Sequence, residues 1–284
     1  MKKNSAFSLI ELSIVILAIA ALLAGILQGK TIVTKARMRS AQNQTLQSPV
    51  AQISNLVAWW ETTSERSFDS IERVNGSTIS TWYDINPNSV VAINATQSNS
   101  SYKPFYKTNI EGGLPMLNFV SGGDYLNIAD GTVPYENSSY TIFIVGKFYS
   151  CSSICNILTS GTATGSQLNA FQYSSSGNIL NNWQSSNVSA SKPGIVNTHI
   201  YTFIYYNISG IGRKIYVDGV RKVINGSIVT RAGGRSSNYI GSTSSSTGLD
   251  GYLGEIIIFD RNLKIEERQG IEKYLSLKWG ISLS

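Results

Sequence analysis

The chain has 284 residues with a formal net charge of +6 and 14% charged residues, enough length for a membrane helix and one sizeable domain. The excess is local: residues 1–40 carry six Lys/Arg and one Glu (6 − 1 = +5), and the remaining 244 carry 17 Lys/Arg and 16 Asp/Glu (17 − 16 = +1). The basic balance therefore gives no reason to expect nucleic-acid binding by the main domain.

The first predicted element is an apolar helix. Lys2 and Lys3 precede it, and from Ser8 to Leu27 the one charge is Glu11. About 20 apolar residues suffice for one helical crossing of a bilayer, and a carboxylate inside such a run is costly enough to mark function. A secretory signal or a plain single-span anchor are the alternatives. Ala24-Gly25 would serve loosely as a signal cleavage site, but Glu11 at the start of the core argues against one. Lys30, Lys35, Arg37 and Arg39 follow the span, so charge asymmetry assigns no orientation. The order of basic leader, small residue, Phe, Ser, Leu, Ile, Glu and long apolar helix resembles the N-terminus of type IV prepilins and type II secretion pseudopilins. The resemblance is strong over residues 1–27. It implies a leader of residues 1–6, cleavage between Ala6 and Phe7 by a prepilin peptidase, and methylation of the Phe7 amine. Ala6 stands where the family usually has Gly. The resemblance further implies that Glu11, the fifth mature residue, pairs in an assembled filament with the α-amino group of a neighbouring subunit.

Residues 28–60 read as a continuation of this helix. Ala36, Ala41, Leu46, Val50, Ile53, Leu56 and Val57 recur at helical spacings, with Pro49 as a kink or a stop near Ser48. The expected division is a pilin-like helix over 7–56, membrane-spanning over 8–27, and a second domain over 57–284. After Trp59-Trp60 the chain turns to short β-branched and aromatic runs separated by Gly, Asn and Ser. Strands are expected at Thr78–Tyr83, Pro115–Phe119, Tyr140–Phe148, Gln167–Tyr173, His199–Asn207, Arg213–Val217, Val220–Ile224 and Tyr252–Phe259. Asp218-Gly219 signals a two-residue hairpin. A closing helix buries Ile265, Ile271, Tyr274, Leu275 and Trp279, leaves Glu266, Glu267, Arg268, Glu272 and Lys273 largely elsewhere, and stops at Gly280.

Val57-Ala58-Trp59-Trp60, Ile79-Ser80-Thr81-Trp82-Tyr83-Asp84, Gly113-Leu114-Pro115, Leu117-Asn118-Phe119, Ile215-Tyr216-Val217-Asp218-Gly219 and the ending from Gly251 through Trp279-Gly280 resemble, in that order, bacterial concanavalin A-like (laminin-G/pentraxin-like) domains. The resemblance implies an all-β, two-sheet antiparallel jelly-roll sandwich over 57–284, closed by a helix. Cys151 and Cys155, outside the cytoplasm, favour a small-loop disulfide over free thiols or a metal site.

Chemistry is sparse. The Glu-x-Asp-x-x-Glu run of glucanase relatives is missing; Glu255 is followed by Ile256-Ile257-Ile258-Phe259-Asp260 and reads as structural. The single His, His199, has no nucleophile motif beside it. Asp124, Asp130 and Asp250 fall in turns where Ca²⁺ is conceivable, but turn carboxylates explain them as well. Trp183 would stack on a sugar if exposed, although most Trp should be core. The expectation is a non-enzymatic subunit without a cofactor. It would be a minor subunit of a type IV pilus or secretion pseudopilus, in the bacterial inner membrane with its head periplasmic, reaching the pilus or cell surface on assembly. Its partners would be the peptidase, other pilin-like subunits and a glycan or surface protein. The alternative is a non-polymerising, membrane-anchored carbohydrate-binding adhesin.

Overall fold

The computed structural model describes residues 9–120, 123–149, 151–161, 168–183, 186–191, 194, 197–225, 237–242 and 247–284. It consists of a long N-terminal helix, two antiparallel sheets and a C-terminal helix.

Helix α1 runs Leu9–Leu46, 38 residues. It is long and apolar enough to cross a membrane. Up to Ile26 its apolar side chains are exposed, and burial begins in earnest at Ala41. The helix expected to run to residue 56 stops ten residues earlier. Pro49 disfavours helical dihedrals in the residue before it. A short 3-10 turn, Val50–Gln52, follows, and Asn55 at φ 67 turns the chain into the first strand.

One sheet contains β1 (Leu56–Glu61), β4 (Phe105–Glu111), β5 (Leu114–Phe119), β7 (Tyr140–Phe148), β12 (His199–Tyr205), β13 (Arg213–Val217), β14 (Val220–Asn225) and β16 (Gly251–Phe259). Its order is β14-β13-β12-β7-β16-β5-β4, with β1 also on β16. The other contains β2 (Thr81–Trp82), β3 (Ala95–Thr96), β6 (Tyr125–Asn127), β8 (Ile154–Ser160), β9 (Asn169–Ser174), β10 (Asn178–Trp183), β11 (Ser186–Ser191) and β15 (Tyr239–Gly241), in the order β11-β10-β9-β8-β15-β6-β3-β2. Asp218 (φ 50) and Gly219 (φ 80) form the β13–β14 turn between paired Val217 and Val220, the doubly left-handed geometry that Asp-Gly suits.

The first sheet is buried on both faces, which is why Tyr140–Val145 and Glu255–Phe259 are continuously buried, without the alternation of a one-sided sheet. Ala58, Trp60, Ile142, Ile144, Ile256 and Ile258 point between the sheets. There Phe148 stacks on Tyr173 and Tyr201 at 5.2 and 5.3 Å. Trp59, Phe143, Val145, Ile257 and Phe259 point the other way, under helix α2 (Ile265–Trp279). Gly254 is small because Trp279 lies on it: a Cβ there would come within 2.6 Å of the indole. Gly280 (φ 69) ends α2, with Ile281 N donating to Ser276 O at 3.0 Å. The buried face of α2 is more polar than its spacing suggests. Arg268 and Glu272, expected on the outer side, are buried along with Lys278, and Ile265, expected inside, is exposed.

Helices α1 and α2 lie antiparallel. Pro49 is beside Gly270, Thr45 Oγ1 is 3.3 Å from the Tyr274 hydroxyl, and Arg37 Nη2 donates to Lys278 O at 2.9 Å. Arg37 Nε also donates to Gly112 O at 3.2 Å. Neither α1 nor α2 packs on the outer face of the second sheet.

Candidate functional site

That outer face is the most site-like surface of the head. Strand alternation sorts its residues. Leu126, Leu158, Phe171, Tyr173, Ile179 and Ile240 point into the sandwich. The register of β15 with β6 and β8 therefore places Tyr125, Asn127, Tyr239 and Thr159 outward. The register of β8, β9 and β10 does the same for Asn156, Gln172 and Asn182.

Two sets of groups stand on the face. Tyr125 packs edge-on against Tyr239 at 5.4 Å, and Tyr102 tilts against Tyr125 at 5.7 Å. Across the neighbouring strands runs a chain of amides. Asn182 Nδ2 donates to Gln172 Oε1 at 2.9 Å, Gln172 Nε2 to Asn156 Oδ1 at 2.6 Å, and Asn156 Nδ2 to Ser242 Oγ at 3.4 Å. Every link points the same way, so Asn182 Oδ1 is left as an open acceptor; it is buried and has no partner among the described residues. Thr159 Oγ1, on a residue only 7% exposed, is likewise without a partner among them. Buried polar atoms are normally satisfied; these two are exceptions, and both lie beneath the surface of the face. No motif in the sequence marks this face; the signal would have been Tyr125 and Tyr239 in short strands, visible only once their register is known.

The residues singled out in the sequence lie elsewhere. Ala6 and Phe7 fall outside the described residues, and Glu11 is exposed near the start of α1. Cys151 and Cys155 form a disulfide at the β7–β8 connection. Trp183 is buried, not exposed: Arg213 stacks on its ring at 4.0 Å and Asn169 Oδ1 accepts from its Nε1 at 2.8 Å. Asp124 is buried and accepts from Val120 N at 2.9 Å, and burial pushes its carboxyl up. Asp130 is exposed, and the Asp250 carbonyl accepts from the Tyr173 hydroxyl at 3.0 Å. Among the described residues no group of three or more His, Cys, Asp or Glu side chains is placed to hold a metal.

Glu255 lies in a closed ionic cluster under α2. Lys278 Nζ donates to Glu255 Oε2 at 2.9 Å and Glu61 Oε2 at 2.8 Å. Trp59 Nε1, Trp279 Nε1 and the Tyr274 hydroxyl complete the shell around Glu255. Burial alone would lower the Lys278 pKa, but the two carboxylates outweigh it and hold the ammonium above its ordinary value. His199 Nδ1 meets Asp218 Oδ2 at 2.6 Å beside a crevice of about 300 Å³ lined in part by Glu111, Thr198 and Ser282. Asp218 Oδ1 is fixed by Ile200 N at 2.9 Å. The imidazole is thus oriented, while its Nε2 is buried without a partner among the described residues.

No protein-family model matches the chain, and no curated protein matches it significantly. Solved structures do. The Trypanosoma rangeli sialidase in complex with the inhibitor DANA matches with a TM-score of 0.55 at 14% identity, over 86% of this chain and 39% of that one. The same enzyme in complex with sialic acid matches with 0.55 at 14% identity, over 91% and 40%. The sialidase alone matches with 0.53 at 13% identity, over 90% and 40%. The chain therefore spans about two fifths of the length of the sialidases it matches. At this identity the likeness shows the fold, a β-sandwich found within sialidase chains. The expectation of a non-enzyme is corrected on this finding. It rested on motifs that are missing, the carboxylate run of glucanases and a nucleophile beside His199, and a fold shared with sialidases is not confined to those chemistries.

Proposed function

We propose that this chain is a subunit of a type IV pilus or type II secretion-like pseudopilus, carrying a concanavalin A-like jelly-roll head used for adhesion or recognition. In this reading a prepilin peptidase cuts between Ala6 and Phe7. The apolar half of α1 then holds the subunit in the bacterial inner membrane, with the head in the periplasm, until assembly. The supporting observation is the division of α1. Its first half is exposed and apolar with Glu11 as its one charge, and its last ten residues are docked on the head. An exposed apolar helix needs lipid or neighbouring helices around it, and a buried Glu11 among such helices needs a cation. The large head suits a minor subunit placed at a tip.

The test is Glu11→Ala in the native host. Membrane insertion should be unchanged and recovery in sheared filaments reduced at least about tenfold, since the partner amine loses its counter-charge. Normal incorporation would defeat the pairing. The tyrosine and amide face also supports a second reading, a membrane-anchored carbohydrate-binding adhesin that never polymerises. In that case Glu11→Ala leaves both surface display and adhesion intact.

A further inference from the structure

We propose that the β13–β14 hairpin, at the edge of the first sheet beside α2, binds an acidic polysaccharide through Lys214, Arg221 and Lys222. This specifies the recognition role proposed for the head and rests on it; the filament reading is tested separately through Glu11. Strand pairing places the groups. Tyr216 is opposite Thr202, whose hydroxyl donates to Glu272 of α2 at 2.9 Å. Tyr216 and, two residues earlier, Lys214 therefore lie on the α2 face of the sheet. Across the hairpin Arg221 pairs with Tyr216 and Ile224 with Lys214. Helix α2 reaches this far with Arg268, which lies 4.2 Å over the Tyr216 ring and is tied to Glu272. Beyond it Arg221, Lys222 and Ile224 are exposed, and Lys222 is the residue that the bulge in β14 leaves without a cross-strand partner.

The positive charge here is uncompensated. All 17 Asp and Glu of the chain lie among the described residues, and none is paired with Lys214, Arg221 or Lys222. Asp218, the carboxylate of the hairpin turn, is already taken by Ile200 N at 2.9 Å and His199 Nδ1 at 2.6 Å. Residues 226–236, which follow β14 in sequence, add Arg231 and Arg235 and no acid. Burial, and after it the like charges of Arg221 and Arg268, pull the Lys214 pKa down. An anion placed here relieves a repulsion that the fold leaves standing.

The chemistry suits a sugar acid. Lys214 Nζ rests 4.5 Å over the half-buried Tyr206 ring, so less of its freedom is lost on binding. Tyr206 and Tyr216 offer apolar ring surface to pyranose C–H groups between the cations. At about 3.4 Å per residue and 4.8 Å per strand, Lys214 and Arg221 are roughly 8 Å apart at the backbone, a spacing for acidic groups on neighbouring sugars. Duplex DNA carries a charge about every 1.7 Å and is held by broad basic surfaces; residues 41–284 have a net charge of only +1 (17 − 16). Bilayer headgroups fit less well still. Gly270 beside Pro49 sets Arg268 at the end of α1 away from its apolar run, and Leu27 to Leu46 alone is about 28 Å of helix.

The experiment uses the full chain in nanodiscs of zwitterionic lipid, with retention measured on immobilised alginate and heparin and on dextran as the uncharged control. At least one acidic polymer should retain the protein, less so as salt rises from about 50 to 200 mM, and dextran should not. Lys214→Gln with Arg221→Gln should weaken retention at least about tenfold. Lys107→Gln with Lys273→Gln, which removes the same charge elsewhere on the head, should not. Thermal melting checks the fold of each variant, and Arg221→Gln alone, at an exposed side chain, replaces the first pair if that pair unfolds. Equal loss in both pairs would reduce the effect to net charge and overturn the site. Retention that survives loss of Lys214 and Arg221 would overturn it as well. Passage through both acidic columns, or equal retention on dextran, would overturn the inference outright. Tighter binding to duplex DNA or to phosphatidylglycerol vesicles than to either polymer would overturn the assignment to a glycan. None of these outcomes bears on the filament reading.

Discussion

Lys278 shows how much one residue carries. Glu61 and Glu255 are direct partners across β1 and β16, so the register itself sets two buried carboxylates side by side. Like charges opposite one another destabilise a sheet, and Lys278, with no exposed surface, bridges both. Lys278→Met should cost about 3–5 kcal/mol, because it strands two buried charges. The triple variant with Glu61→Gln and Glu255→Gln should regain most of the loss. Urea unfolding measures both, and a cost below about 1 kcal/mol for the single variant would refute the argument. The position was legible, since Lys278 falls four residues after Tyr274 and seven after Ile271 on the buried stripe. Its charge disguised it. A second prediction concerns pH. Glu267 is gripped by the fork of Arg261 at 2.8 and 2.8 Å and takes Lys264 N at 2.8 Å, which holds its carboxyl down at about 2. A lowered folded pKa stabilises above the ordinary glutamate value of about 4.3 and loses that effect as pH falls towards 2. Glu267→Gln should therefore be less stable than the parent at pH 6 and match it at pH 2 in thermal melts. A gap that persists at pH 2 would contradict this account of the pair.

The seam between α1 and α2 joins the apolar helix to the head. Arg37 presents its guanidinium to the carbonyl end of α2 and to the β4–β5 turn, where a cation also complements the helix dipole. Arg37→Ala should destabilise the seam by roughly 1–2 kcal/mol and speed amide exchange in residues 37–46 while the strands keep their protection. Unchanged exchange would mean that the seam is held by Ala41, Thr45 and Tyr274 alone. At this scale the sequence was a good guide where pattern and burial agree. Tyr140–Phe148 and Arg213–Val217 are strands as expected, the β13–β14 hairpin turns at Asp218-Gly219, and the closing helix ends at Gly280. It failed where composition misleads. β10 and β11 are rich in Asn and Ser and are not among the expected strands, yet pairing through six partners makes them strands. Leu56–Glu61 fits a helical as well as an extended pattern, and its pairing with β16 decided the matter. Gln167, the expected start of one strand, lies outside the described residues; the strand there is Asn169–Ser174. The outer face of the second sheet was not legible, because its residues come from strands far apart in sequence.

The whole molecule is a charge-segregated object. Nearly all its positive excess lies in the first 40 residues, and the head that follows is close to neutral. At 1.5 Å per residue α1 is about 57 Å long, and its exposed apolar first half stands apart from a head that encloses two apolar clusters of its own. The mass of the N-terminal peptide, taken from protein isolated from its own host, tests the proposed processing of this helix. The account predicts a mature chain that begins at N-methylated Phe7, the product of prepilin peptidase cleavage after Ala6. A chain that still begins at Met1 would contradict it and leave an anchored protein that does not enter a filament.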